Sequence, residues 1–211
     1  LVTQQFMYAR AILNAGLIPI IEPEVAVNMP SDEKAKCEEI LCDALIRELN
    51  ALKAGYDEAE QELQNFFGFP GGFDSLAEMK AWLSKHPDIQ FLVHSYGEFH
   101  ANENCPKQVL LKVTLPERPN TYRECLDHPN CIGVVALSGG YSQAEACKKL
   151  RQNVGMIASF SRALLEGLRY KMHDEEFNAR LVTNINKIYD ASCKKEASAC
   201  QDDKVGQQPE A

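Results

Sequence analysis

The sequence predicts an α/β fold built on a parallel sheet or barrel, and three observations carry that expectation. Apolar runs alternate with amphipathic helical stretches along most of the chain, the order in which crossover helices cover a parallel sheet. The runs VLLKVTLP and GVVALSGG are almost continuously apolar rather than alternating, as in strands buried on both faces. The strand starts Val109, Val134 and Ile157 are spaced by about 25 residues, close to the ~30 of one unit in an eight-fold barrel.

Each element follows from local pattern. In TQQFMYARAILN, Phe6, Met7, Ala9, Ile12 and Leu13 share one helical face, and Gly16 suits the C-terminal stop. LIPIIEPEV is a strand. Ser31 is placed as the N-cap of a helix running to about Leu52, with Asp32 and Glu33 in its first turn. VLLKVTLP is a strand and NTYRECLDHP a short helix. GVVALSGG is a strand entering a glycine turn, after which Ser142 and Glu145 form a capping-box pattern for the helix SQAEACKKLRQN. IASFS is a short strand leading into a helix SRALLEGLRY, and EEFNARLVTNINKIYDASCKK is a long amphipathic helix. The gap from Ile20 to Val109 is about three times too long for one crossover. Residues 54–107 are therefore expected to form a mainly helical insertion, with IQFLVHSY as an added strand or, alternatively, a further strand of the main sheet. Residues 196–211 have the composition of a disordered tail.

Composition excludes several classes of function. The 211 residues are 45% hydrophobic and 25% charged, ordinary for a globular protein. No apolar run approaches the ~20 residues of a membrane span, and no basic segment followed by an apolar core marks a secretory signal. The first residue is Leu1 rather than Met, which implies processing or a missing upstream part. A net charge of −8 argues against nucleic acid as a partner, so any anion site must be local. Eight cysteines form no C-x-x-C pair or zinc spacing and are expected as reduced thiols in a soluble cytoplasmic protein, an organelle such as a plastid remaining open.

Three strand ends carry groups suited to chemistry. Glu22 and Glu24 flank Pro23 at the end of an apolar strand and at period 2 project to one face. They are either a solvated strand end or a partly desolvated general acid/base. Lys112, inside VLLKVTLP, is either a lysine snorkelling to the rim or a Schiff-base nucleophile. Ser138, Gly139 and Gly140 permit close backbone approach to a phosphate after one strand. Ser161 and Arg162 end the next, where a guanidinium can grip phosphate bidentately. His94, Glu98, His100 and Glu103 crowd the insertion without a metal-ligand spacing, so no metal site is assigned there.

Paired glutamates, a strand lysine, Ser-Gly-Gly and Ser-Arg on successive strand ends form a more specific set than any one of them. Through AGLIPIIEPEV, VLLKVTLPERPNTY, HPNCIGVVALSGGYS, IASFSRAL and IYDAS, the sequence resembles class I fructose-1,6-bisphosphate aldolase, in the branch common in bacteria and some protists. The matching stretches cover most of residues 3–52 and 108–192. The resemblance implies a partial TIM (β/α) barrel of about four C-terminal β/α units, formed by residues 1–53 and 108–195. It implies Lys112 as the Schiff-base lysine, Glu22 as the acid/base that helps dehydrate the carbinolamine, and Glu24 as the neighbouring carboxylate. It further implies Ser138, Gly139, Gly140, Ser161 and Arg162 as the cradle for a sugar phosphate. The implied lyase reaction is glycolytic: reversible cleavage of fructose 1,6-bisphosphate to dihydroxyacetone phosphate and glyceraldehyde 3-phosphate, without metal or cofactor. The family's first four strands, with a catalytic aspartate and further lysines, have no counterpart in these residues. A homo-oligomer, or pairing with a missing N-terminal half, is the expected state. Two rivals are a Schiff-base lyase for a related ketose phosphate and a non-catalytic remnant binding sugar phosphate or a protein partner.

Overall fold

Proline and glycine set the first boundaries of the fold. The computed structural model describes residues 1–52, 81–82, 84–87 and 107–196. Helix α1, Val2–Asn14, buries Phe6, Met7, Ala9 and Leu13 along one stripe. Gly16 ends it at φ +80°, with its N–H bonded to the Leu13 carbonyl at 2.8 Å and that of Leu17 to Ile12 at 3.2 Å. This paired closure needs a left-handed residue, which glycine supplies without a Cβ clash. Strand β1 is only Ile20–Ile21, far shorter than the apolar stretch around it. Pro19 and Pro23 bracket it, and a proline has no N–H to give a ladder.

Helix α2, Ser31–Ala51, corrects the expected cap. Pro30 occupies the N-cap position and no side chain caps the helix. Ser31 is the first helical residue, and its hydroxyl instead donates to Glu117 Oε2 at 3.1 Å. A distant carboxylate has outcompeted the local turn. Strand β2, Val109–Thr114, follows, then helix α3, Arg123–Asp127, strand β3, Cys131–Leu137, helix α4, Gln143–Arg151, strand β4, Ile157–Ala158, and helix α5, Asp174–Cys193. The strands lie side by side in sequence order, β1-β2-β3-β4, and every pairing is parallel. The described residues thus form an α/β fold with a four-stranded parallel sheet, as the alternation predicted.

Strand geometry sends successive side chains to opposite faces, and the two faces differ. Ile21, Leu111, Val113, Val134 and Ala136 are buried in one core with Leu45 and Leu49 of α2 and Ala146 and Leu150 of α4. On the opposite face Ile20 is 57% and Ile157 51% exposed, and Leu110 and Lys112 are half-buried. Burial on both faces, expected from the apolar runs, holds for residues 134–137 of β3 but not throughout β2, so among the described residues the second face is incompletely covered.

The capping box at α4 forms as the pattern predicted. Ser142 Oγ accepts from the Glu145 N–H at 3.3 Å, and Glu145 Oε2 accepts from the Ser142 N–H at 3.1 Å. Ser142→Ala is expected to cost about 1 kcal/mol. That lowers the thermal midpoint by roughly 2–4 °C in a chain of this size, read by circular dichroism.

The expected helix SRALLEGLRY does not form; residues 161–167 run through successive turns. Two distant side chains hold three of its carbonyls. Gln143 Nε2 donates to Ala163 at 2.9 Å, and Asn184 Nδ2 donates to both Leu164 and Glu166 at 2.9 Å. Gly167 at φ +80° breaks any continuation. Side-chain donors compete with the backbone there, which keeps turn-type bonds such as the Leu165 N–H to the Arg162 carbonyl at 3.2 Å. The expected insertion 54–107 lies outside the described residues except at 81–82, 84–87 and 107, as does the tail beyond Glu196. His94, Glu98, His100 and Glu103 are therefore also outside them.

Candidate functional site

The short β1 strand places Glu22. Ile20 pairs with Leu110 and Ile21 with Leu111, so the next residue, Glu22, falls beside Lys112. Lys112 is level with Val135 on its other flank, and the incompletely covered face carries its side chain. Lys112 Nζ lies 2.7 Å from Glu22 Oε1, with the side chains 24% and 43% exposed. The ammonium inside an apolar strand thus has a partner and solvent. Glu22 is ion-paired and well exposed, the solvated of the two alternatives the sequence left open, because β1 is a two-residue edge strand in the described sheet. Glu24, two residues further, is exposed and has no ion pair among the described residues.

Lys112 also lines an open cleft of about 440 Å³ with Ser159, Phe160 and Ser161 beyond β4 and Ile185 and Tyr189 of α5. Ser161 is therefore brought to the same space as the lysine. Arg162 is exposed beside it and has no ion pair among the described residues. Ser138, Gly139 and Gly140 do not line this cleft. They form a separate turn at the end of β3, closed by the Tyr141 N–H on the Ser138 carbonyl at 2.9 Å. Gly139 and Gly140 adopt φ +59° and +100°. A Cβ on Gly139 would sit 3.0 Å from Val27 Cγ1 and 3.3 Å from Thr114 Cγ2, so the turn packs against both β2 and the loop before α2. Ser138 itself is buried.

One polar cluster escaped the reading of the sequence. Just past β2, Glu117 Oε1 accepts from Tyr141 Oη at 3.0 Å and from Lys149 Nζ at 3.1 Å. Lys34 Nζ lies 3.5 Å from the same oxygen. Lys34 also bonds the Glu38 carboxylate and donates to the Leu115 carbonyl at 2.8 Å, while the Glu117 N–H donates to Glu38 Oε2 at 2.8 Å. Lys34 and Glu38 are fully buried. Burial pushes the Glu117 carboxyl up, but hydrogen bonds from Lys149 and Tyr141 and the charges of Lys149 and Lys34 outweigh it. The group is held down at about 2, against an ordinary value of 4.5. The available signal was the spacing of Lys34 and Glu38, four apart on a helix, where side chains meet. Their burial was not legible, since such a pair is more often solvated.

No family profile matches the sequence. Over 192 residues the chain is 40% identical to a protein of Synechocystis sp. named fructose-bisphosphate aldolase class 1, covering 91% of this chain and 46% of that one. A protein of the same name from Porphyromonas gingivalis is 37% identical over 194 residues, covering 92% of this chain and 47% of its own length. The chain spans about half the length of these curated relatives. Identity at this level runs across nine-tenths of the chain, which over that length is similar to about half of each class 1 fructose-bisphosphate aldolase.

Proposed function

We propose that the chain supplies the Schiff-base part of a class I aldolase site, acting on fructose 1,6-bisphosphate. The observation that carries this reading is the 2.7 Å contact between Lys112 Nζ and Glu22 Oε1 at neighbouring parallel strand ends. Glu22 takes a proton from the Lys112 ammonium, freeing the amine to attack the ketose carbonyl carbon. The same carboxyl returns the proton to the carbinolamine hydroxyl, which leaves as water. The resulting iminium accepts the electron pair of the C3–C4 bond when that bond breaks, while the C4 hydroxyl gives its proton to the Glu22 carboxylate left free by the dehydration; dihydroxyacetone phosphate remains as an enamine on Lys112 and glyceraldehyde 3-phosphate departs. Ser161 and Arg162, with the Ser138–Gly140 turn, offer donors for substrate phosphate, and Glu24 is a second carboxylate near the strand end. Four parallel strands in sequence order, with one incompletely covered face, support a partial (β/α) barrel whose interior is that face. Among the described residues β1 and β4 are the edges of the sheet, and they would pair with further barrel strands or with another copy, since unpaired edges invite partners.

Borohydride reduction of the full chain in the presence of dihydroxyacetone phosphate tests the proposal. A stable adduct on the peptide containing Lys112 is the expected result. Its absence there sinks the Schiff-base reading and leaves a sugar-phosphate-binding relative; labelling by other ketose phosphates in preference would shift the substrate.

A further inference from the structure

Among the described residues, the thiols of Cys42 and Cys125, 3.7 Å apart in the core, and the polar cluster around Glu117 are features that the reaction does not account for. The second is tied to the candidate site on both sides. Glu117 follows Lys112 by five residues on the same strand exit. Its carboxylate collects Ser31 and Lys34 from α2, Tyr141 from the turn after β3, and Lys149 from α4. Tyr141 is the residue whose N–H closes the turn on Ser138. The other side of that turn is set by Val27 and Thr114 against Gly139. Thr114 Oγ1 in turn accepts from the Val25 N–H at 3.0 Å. The turn is therefore gripped at two points, by packing at Gly139 and by one hydrogen bond from Tyr141.

From this arrangement we infer that Glu117 is a positioning residue. Through Tyr141 it fixes the Ser138–Gly140 turn relative to the strand bearing Lys112, and so sets affinity for the substrate phosphate without touching the reacting atoms. A charged acceptor suits this task, since an ionised carboxylate holds a phenol more firmly than a neutral amide does. Two lysines and two glutamates also leave the cluster neutral, so a phosphate bound at the turn meets no unbalanced carboxylate. The inference deepens the aldolase reading and rests on it for the identity of the ligand, not for the coupling of Glu117 to the turn.

The test uses the full chain with Glu117→Gln and Tyr141→Phe. Inorganic phosphate is titrated while the amide resonances of Gly139 and Gly140 are followed, and borohydride trapping is run across dihydroxyacetone phosphate concentrations. Both variants are expected to weaken phosphate binding about 5–10-fold, the scale of the net contribution of one ordinary hydrogen bond passed on to the turn. Trapping should half-saturate at correspondingly higher concentration with its plateau retained. Phosphate affinity within 2-fold of the parent in Tyr141→Phe overturns the inference, as does a parent chain whose Gly139 and Gly140 resonances ignore phosphate. A lowered plateau with unchanged half-saturation overturns it too, because Glu117 would then act on the chemistry. If Glu117→Gln does not fold, Tyr141→Phe decides, since it deletes one hydroxyl. Failure of Lys112 to be labelled in the parent removes the aldolase reading, while the phosphate titration still decides the role of Glu117.

Discussion

Lys112→Arg is expected to reduce borohydride-dependent labelling by dihydroxyacetone phosphate at least about 10³-fold, the scale of removing a covalent nucleophile. Arginine preserves the positive charge beside Glu22 and the apolar stem along the strand, so the 2.7 Å ion pair has a counterpart in the variant. It cannot supply a neutral amine, because a guanidinium stays protonated throughout the accessible pH range. Loss of label with an unaltered circular dichroism spectrum thus isolates nucleophilicity from packing. Glu22→Gln serves as the companion. A glutamine still hydrogen-bonds the amine but can neither take nor return a proton, and the rate of trapping should fall about 10²-fold with the plateau reached eventually. Persistent labelling of the same peptide in Lys112→Arg would place the adduct on another amine, Lys107 being the nearest along the chain.

Much of this site was legible because its determinants are local. Lys112 stands out by being charged within VLLKVTLP, and Glu22 by its place at the end of a proline-bracketed run. Neither observation says how far apart they lie. That depended on the β1–β2 register, which pairing fixes between residues about 90 positions apart in sequence. The capping box at Ser142 and the stop at Gly16 were also readable, since each is contained within a few residues. What failed was decided by distant partners. Ser31 has the composition of an N-cap, but Glu117, 86 residues away, takes its hydroxyl. SRALLEGLRY has helical composition, but Asn184 and Gln143 occupy its carbonyls. Propensity is a weak prior against such contacts. The same limit hid the Lys34 cluster, whose members come from two helices and two strand exits.

That cluster gives the second large effect. Lys34→Met is expected to destabilise the fold by about 3–5 kcal/mol, the cost of removing one partner from a buried ion pair. The side chain is fully buried and its ammonium serves Glu38, the Leu115 carbonyl and the edge of Glu117. Methionine fills the stem volume, so the loss measures stranded charge rather than a cavity. Glu38 cannot relax into water, because its other oxygen is fixed by the Glu117 N–H at 2.8 Å. Adding Glu38→Gln to Lys34→Met removes the stranded charge while an amide oxygen still accepts that N–H. The double variant should recover about 1–3 kcal/mol of the loss, a coupling typical of groups in one network. Urea unfolding of the parent, both singles and the double measures it. A Lys34→Met loss below about 1 kcal/mol would mean that Glu38 is satisfied without Lys34. Additive singles would mean that the two side chains do not share one network at the exit of the Lys112 strand.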